Sequence, residues 1–134
     1  MESKTLKNID LINISNSITE LMSYDLDTKA GWNLGRNLRK IEPVLKDYAE
    51  FERKLLDEYA IKKEDGSFVV SANNEPEIYQ NIKSEYIEKH NELLNCESDI
   101  EFLTIPLSCF IEGKSKEIKP YLLFNLDFMI DEEN

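Results

Sequence analysis

Residues 34–59, LGRNLRKIEPVLKDYAEFERKLLDEY, set apolar side chains at Leu34, Leu38, Ile41, Leu45, Tyr48, Leu55 and Tyr59. The steps alternate between three and four residues, the spacing that keeps one face of an α-helix turned toward a partner. Most other positions are Asp, Glu, Lys or Arg. A long charged helix with one narrow apolar seam is therefore expected, running over about 29–62. Glu52 stands where the next member of the seam is due, and neighbouring Phe51 is expected to cover that gap. Pro43 removes a backbone donor inside the helix, which predicts a kink, or two helices meeting there. Because the seam keeps its phase across Pro43, the kink is favoured.

Working outward, Ile9, Leu11, Ile12, Ile14, Ile18, Leu21 and Met22 predict a shorter helix over about 9–24, with Thr5 and Leu6 able to pair as a strand before it. Glu64-Asp65-Gly66-Ser67 is a turn signal, Phe68-Val69-Val70 reads as an edge strand, and 71–74 is a second loop. Glu75-Pro76-Glu77 has a proline early and acids in the first turn, which predicts a helix over about 76–94. Its apolar positions Ile78, Tyr79, Ile82, Tyr86 and Leu93 offer an internal partner to the opening seam. The two helices should form an antiparallel hairpin, and the seam reads as core rather than interface.

After Cys96 the period changes to alternation, so a strand is expected over about 99–105, ended by Pro106. Residues 113–119 read as a polar loop. The run Tyr121 to Ile130 predicts a final helix over 120–130, buried on most sides across the hairpin, with an acidic tail after it. The fold class is mainly α with a small β element, in a single domain spanning 1–134.

Composition narrows the function. The chain has 27 acidic and 16 basic residues, a formal charge of −11, with 41% apolar residues, four Gly and four Pro. That apolar content opposes wholesale disorder. Residues 75–101 hold eight acids against only Lys83 and Lys89, whereas residues 1–40 are nearly balanced. Such a field repels the anionic backbones of nucleic acids and anionic membrane surfaces, and attracts basic surfaces. The structural alternative is a solvated face that keeps the protein in solution. No stretch approaches the ~20 apolar residues of a membrane span, and Met1 to Lys7 lacks a signal-peptide core, so a cytoplasmic location is expected. Cys96 and Cys109 sit among apolar residues and read as two buried thiols rather than a disulfide.

Chemistry-bearing patterns are sparse. His90 is the sole histidine, its nearest cysteine is six residues away, and a surface or packing role is the simpler reading. Residues 31–35 lack the strand and the Lys-Ser/Thr of a phosphate loop. Trp32 is expected to pack on the first helix. Neither a metal, nor a cofactor, nor an enzymatic activity is expected. Glu85, Glu88 and Glu92 share one helical face, and Asp47, Glu50, Asp57 and Glu58 lie on the back of the preceding helix. These seven residues form the candidate partner-binding face.

The stretches Arg36-Asn37-Leu38-Arg39-Lys40-Ile41-Glu42-Pro43, Lys54-Leu55-Leu56-Asp57-Glu58-Tyr59, Glu64-Asp65-Gly66, Asn91-Glu92-Leu93-Leu94-Asn95 and Leu122 through Asp131 together resemble a family of small acidic proteins. These are encoded by bacteriophages and prophages of Gram-positive bacteria and catalogued as a domain of unknown function. The resemblance covers roughly residues 30–131 and carries no catalytic residue. It implies a phage product acting in a bacterial host cytoplasm. One expectation is an inhibitor that occupies a basic surface of a host or defence protein, as anti-CRISPR proteins and DNA mimics do. The alternative is a virion assembly or accessory protein that oligomerises through the helical hairpin.

Overall fold

The computed structural model describes residues 2–111 and 118–131. In chain order the elements are β1 (Glu2–Lys7), α1 (Asn8–Leu21), α2 (Thr28–Tyr59), α3 (Lys83–Leu94), β2 (Glu97–Phe102), β3 (Ile105–Pro106), α4 (Ser108–Ile111), α5 (Pro120–Asn125) and β4 (Ile130–Asp131). Single 3₁₀ turns sit at Gln80–Ile82 and Asp127–Met129. This is the expected mainly α architecture with a small β element. Most of the expected polar loop at 113–119, and the acidic tail beyond Asp131, lie outside the described residues. The chain gathers into two compact units, one of residues 1–45 with 97–134 and the other of residues 46–96.

In the first unit β1 pairs antiparallel with β2, from Glu2 opposite Phe102 to Lys7 opposite Glu97. Lys7 stands opposite Glu97 in the register, and the Thr5 hydroxyl donates to the Asp99 carboxylate opposite it. α1 follows directly, and the Asp10 carboxylate accepts the Lys7 N–H at its start. Its Leu11, Ile14, Ile18 and Leu21 are buried at helical spacing, packed in one cluster with Leu34 and Ile41 of α2, Leu122 of α5 and Leu126 just after it. α2 runs uninterrupted through Pro43 rather than as two helices meeting there. Pro43 and Arg39 both sit on the exposed side, where water reaches the carbonyl that proline leaves unpaired.

Asn37 is fully buried in that unit, and its amide is fully used. Its Oδ1 accepts the Leu103 N–H at 2.8 Å, and its Nδ2 donates to the Leu103 carbonyl at 3.0 Å. Lys40 Nζ donates to the Glu101 carbonyl at 2.8 Å. α2 thus holds the backbone at the end of β2 and just after it by side-chain bonds, which satisfies polar groups that burial would otherwise penalise.

In the second unit the residues of α2 from Lys46 onward pair antiparallel with α3. Tyr59 lies beside Glu85 and Tyr86, whereas Tyr48, three turns earlier, lies beside His90. The apolar seam closes on Leu55, Tyr59 and Leu93, flanked by Tyr48, Ile78, Ile82 and Tyr86. Between the helices the chain doubles back twice in a small ribbon with bridges Ala60–Ile78, Lys62–Phe68 and Val70–Pro76. Gly66 has φ 88° in its first turn, where a side chain would be strained. The Asp65 carboxylate accepts both the N–H and the hydroxyl of Ser67, and the Ser67 hydroxyl bond first, then the backbone bond, hold its pKa below the usual range.

Several expected boundaries are corrected. The helix expected from 76 begins at Lys83, because the Glu77 N–H and carbonyl are committed to Val69 and Ile61 in the ribbon. α2 ends at Tyr59 rather than 62 for the same reason, and α1 ends at Leu21 before two turns. The expected strand 99–105 is β2, starting at Glu97, and a separate β3. Pro106, expected to end a strand, takes part in β3, paired parallel with β4. The final helix stops at Asn125, since Ile130 is drawn into pairing with Ile105. It packs on α1, through Asn125 to Ser17 (3.0 Å) and Tyr121 to Glu20 (2.7 Å). Nor is it buried on most sides, since Phe124 is 77% exposed. Trp32 is 63% exposed, with the Arg36 guanidinium over its ring at 5.8 Å, instead of packed on α1. Cys96 is exposed and Cys109 half-buried, rather than both buried, and neither forms a disulfide.

Candidate functional site

The residue that interrupts the apolar seam organises the second unit. Glu52 does not leave a gap for Phe51 to cover, for Phe51 is 53% exposed. Its Oε2 accepts the Tyr48 hydroxyl at 2.8 Å from one turn earlier on the same helix, and lies 2.8 Å from His90 Nε2 on α3. Tyr48 Oη and His90 Nε2 are 3.3 Å apart. The His90 ring stacks on Tyr86 with centroids 5.7 Å apart at 21°, and Tyr86 in turn meets Tyr59 at 5.9 Å. A ladder of rings therefore runs along the α2–α3 seam, with Glu52 accepting at one end and Glu85 accepting the Tyr59 hydroxyl at the other. Burial, followed by the Glu52 hydrogen bond and charge, pushes the Tyr48 phenol well above its ordinary range. Burial first, then the Glu52 charge, raises Tyr86 as well.

Two cavities flank this seam within the second unit. The larger, about 760 Å³, lies on the Glu52 and His90 side, with Glu75, Glu77, Lys83 and Tyr86 also on its lining. The smaller, about 510 Å³, has an apolar floor of buried Leu55 and Leu93, half-exposed Phe51 at its edge, and charged Lys54, Glu58, Lys89 and Glu92 around it.

The seven acidic residues singled out from sequence are all exposed. Glu58 and Glu92 both line the smaller groove, and Glu85 joins Glu58 around Lys89. Lys89 is raised above the ordinary lysine range by the Tyr59 hydroxyl first and by Glu85 and Glu58 after it. Asp57 is drawn instead into ion pairs with Arg53 (3.7 Å) and Lys62 (3.5 Å). Asp47, Glu50 and Glu88 stand on the surface outside this group. The face is thus laced with cations, and its field is weaker than a count of its acids implies. Across residues 46–96 there are 12 acidic and 7 basic side chains.

Sequence reasoning left four residues out of the candidate face, reading Glu52 as a gap in the seam, His90 as a surface or packing residue, and Glu75 and Glu77 as acids at a helix start. The signal for the first two was a lone charge inside an apolar stripe, plus a lone histidine four residues after Tyr86 on the apolar face of the next helix. Among the described residues, no three of His, Cys, Asp and Glu gather closely enough to hold a metal ion. None of the described helices is long and apolar enough to cross a membrane. No protein-family model matches the chain, and neither the curated proteins nor the solved structures yield a match.

Proposed function

We propose that this protein is an acidic protein-binding domain that seats a basic surface of another protein on the outer face of its α2–α3 hairpin. The observation that carries the reading is the smaller groove. Its apolar floor and charged rim reproduce the anatomy of a protein interface, in which a desolvated centre is ringed by polar groups. Phe51, a large aromatic left half in water at its edge, is the kind of side chain that anchors such interfaces. The surrounding Asp47, Glu50, Glu85 and Glu88, together with the −11 charge of the chain, favour encounter with a basic partner.

The test is affinity capture with the full chain at low and raised salt, beside a Glu58→Lys/Glu92→Lys variant and Phe51→Ala. A bound protein that is basic, lost with charge reversal and weakened by Phe51→Ala, supports the reading. Retention of the same partner by both variants overturns it. Light scattering of the purified chain separates this outcome from self-association, the alternative raised by the sequence.

A further inference from the structure

We propose that the larger cleft of the second unit is a binding site for a guanidinium group on a short alkyl chain, the chemistry of an arginine side chain. The cleft involves different residues from the smaller groove, and it stands or falls independently of the function proposed above.

Four features of the cleft converge on that ligand. Its volume of about 760 Å³ lies inside the range of about 300–1,000 Å³ typical of small-ligand sites. Its charge is lopsided, with the carboxylates of Glu52, Glu75 and Glu77 against the single ammonium of Lys83.

One carboxylate and the backbone that carries the other two are also held in place. Glu52 is oriented by Tyr48 and His90, both acting on Oε2, while Oε1 receives no hydrogen bond among the described residues. Glu75 and Glu77 stand two apart on an extended segment, so their side chains share one side of it. That backbone is fixed by the Ser71 N–H to the Glu75 carbonyl and by the Glu77 N–H to the Val69 carbonyl, both at 2.8 Å.

The last feature is the aromatic and apolar wall. The stacked rings of Tyr86 and His90 line the cleft, and Leu56 and Ile87 supply apolar surface for an alkyl chain. A planar, weakly hydrated guanidinium can lie against rings and grip a carboxylate with two parallel bonds. A compact, strongly hydrated ammonium can do neither as well. The combination of rings with the oriented Glu52 carboxylate therefore selects arginine chemistry over lysine chemistry.

The experiment is a nuclear magnetic resonance titration of the full chain, following the ring protons of Tyr86 and His90. The probes are N-acetyl-arginine methylamide, a Gly-Arg-Gly amide, and the matching lysine and citrulline compounds. The arginine probes should give saturable shifts, the lysine probe should bind roughly tenfold more weakly, and uncharged citrulline should give no saturation. Glu75→Gln/Glu77→Gln alters two exposed side chains and leaves the seam intact, and it should weaken arginine binding by about tenfold. Glu52→Gln should do the same, and Glu58→Lys/Glu92→Lys should leave it unchanged. Equal affinity for the blocked residue and the tripeptide assigns the site to a small guanidine, and tighter tripeptide binding assigns it to a peptide. Either result upholds the cleft. No saturable shift, equal binding of lysine, or loss only on reversal of Glu58 and Glu92 overturns it.

Discussion

Replacing Glu52 with Ala removes the acceptor shared by Tyr48 and His90 while leaving the apolar seam in place. Each of the two bonds is 2.8 Å long. A hydrogen bond to a charged group contributes about 1.5–3 kcal/mol when desolvated, and an exposed ion pair about 0.2–1 kcal/mol. The His90 and Glu52 side chains are 24% and 35% exposed, which places this pair between the two limits. About 1 kcal/mol per bond follows, so Glu52→Ala should lower the stability of the second unit by about 2 kcal/mol. Alanine is the better helix former, so intrinsic propensity works against this loss rather than adding to it. The discriminating measurement is a pair of double-mutant cycles, Glu52→Ala with His90→Ala and with Tyr48→Phe, read by hydrogen exchange of amides in residues 46–96. Each cycle should show a coupling of about 1 kcal/mol, well outside the roughly 0.3–0.5 kcal/mol scatter of independent sites. Glu50→Ala, on the exposed side of the same helix, should change stability by no more than about 0.5 kcal/mol. If both cycles are additive, Glu52 is a solvated residue and does not organise the seam.

Two further outcomes are expected. Asn37→Ala strands the half-buried Leu103 N–H and carbonyl and should cost about 1–2 kcal/mol, with loss of exchange protection at Leu103; an unchanged Leu103 amide would contradict the clamp. At alkaline pH the sign follows from Tyr48 and Tyr86, whose phenols are raised in the folded chain by burial first and then by Glu52. Their contribution is fully present below the ordinary tyrosine pKa of about 10 and is lost as pH rises above it toward the folded values. Tyr48→Phe should therefore flatten the alkaline fall in stability of residues 46–96 and remove one late step from the phenolate absorbance titration. A fall of unchanged steepness would refute the assignment.

The parts of the fold legible in the sequence are those whose cause is local. The seam from Leu34 to Tyr59 announces α2, because helical periodicity requires no knowledge of the partner. Glu64 to Ser67 announces a turn, because Gly66 and Asp65 carry the conformation themselves. The failures share the opposite property. Pro76 has the chemistry of a helix start, yet its neighbour Glu77 is claimed by Val69 and Ile61. Ile130 belongs to an apolar run that suits a helix, yet it pairs with Ile105 from far back in the chain. The Glu52–His90 pair spans 38 positions and is invisible to any window one helix long. The acidic face was legible as composition, and its Arg53–Asp57 pair is local to α2, but Lys89 became a neighbour of Glu58 only once α2 and α3 lay side by side.

Glu52 also bears on why the hairpin has a single register. The apolar side of each helix repeats every three or four residues, so sliding α3 along α2 by one turn, about 5.4 Å, would bring apolar side chains back against apolar side chains. Burial alone therefore discriminates weakly between the two arrangements. The polar members do not repeat. Glu52 is the lone carboxylate in the seam of α2 and His90 the lone histidine of the chain, so the slide would leave both half-buried without each other. A partly desolvated carboxylate deprived of one of its two donors is penalised more than a mispaired leucine. The same interaction that fixes the register holds Glu52 and His90 at the wall of the larger cleft, beside Tyr86. Register and cleft thus have one cause, and a substitution that frees the helices to slide must also dismantle the cleft.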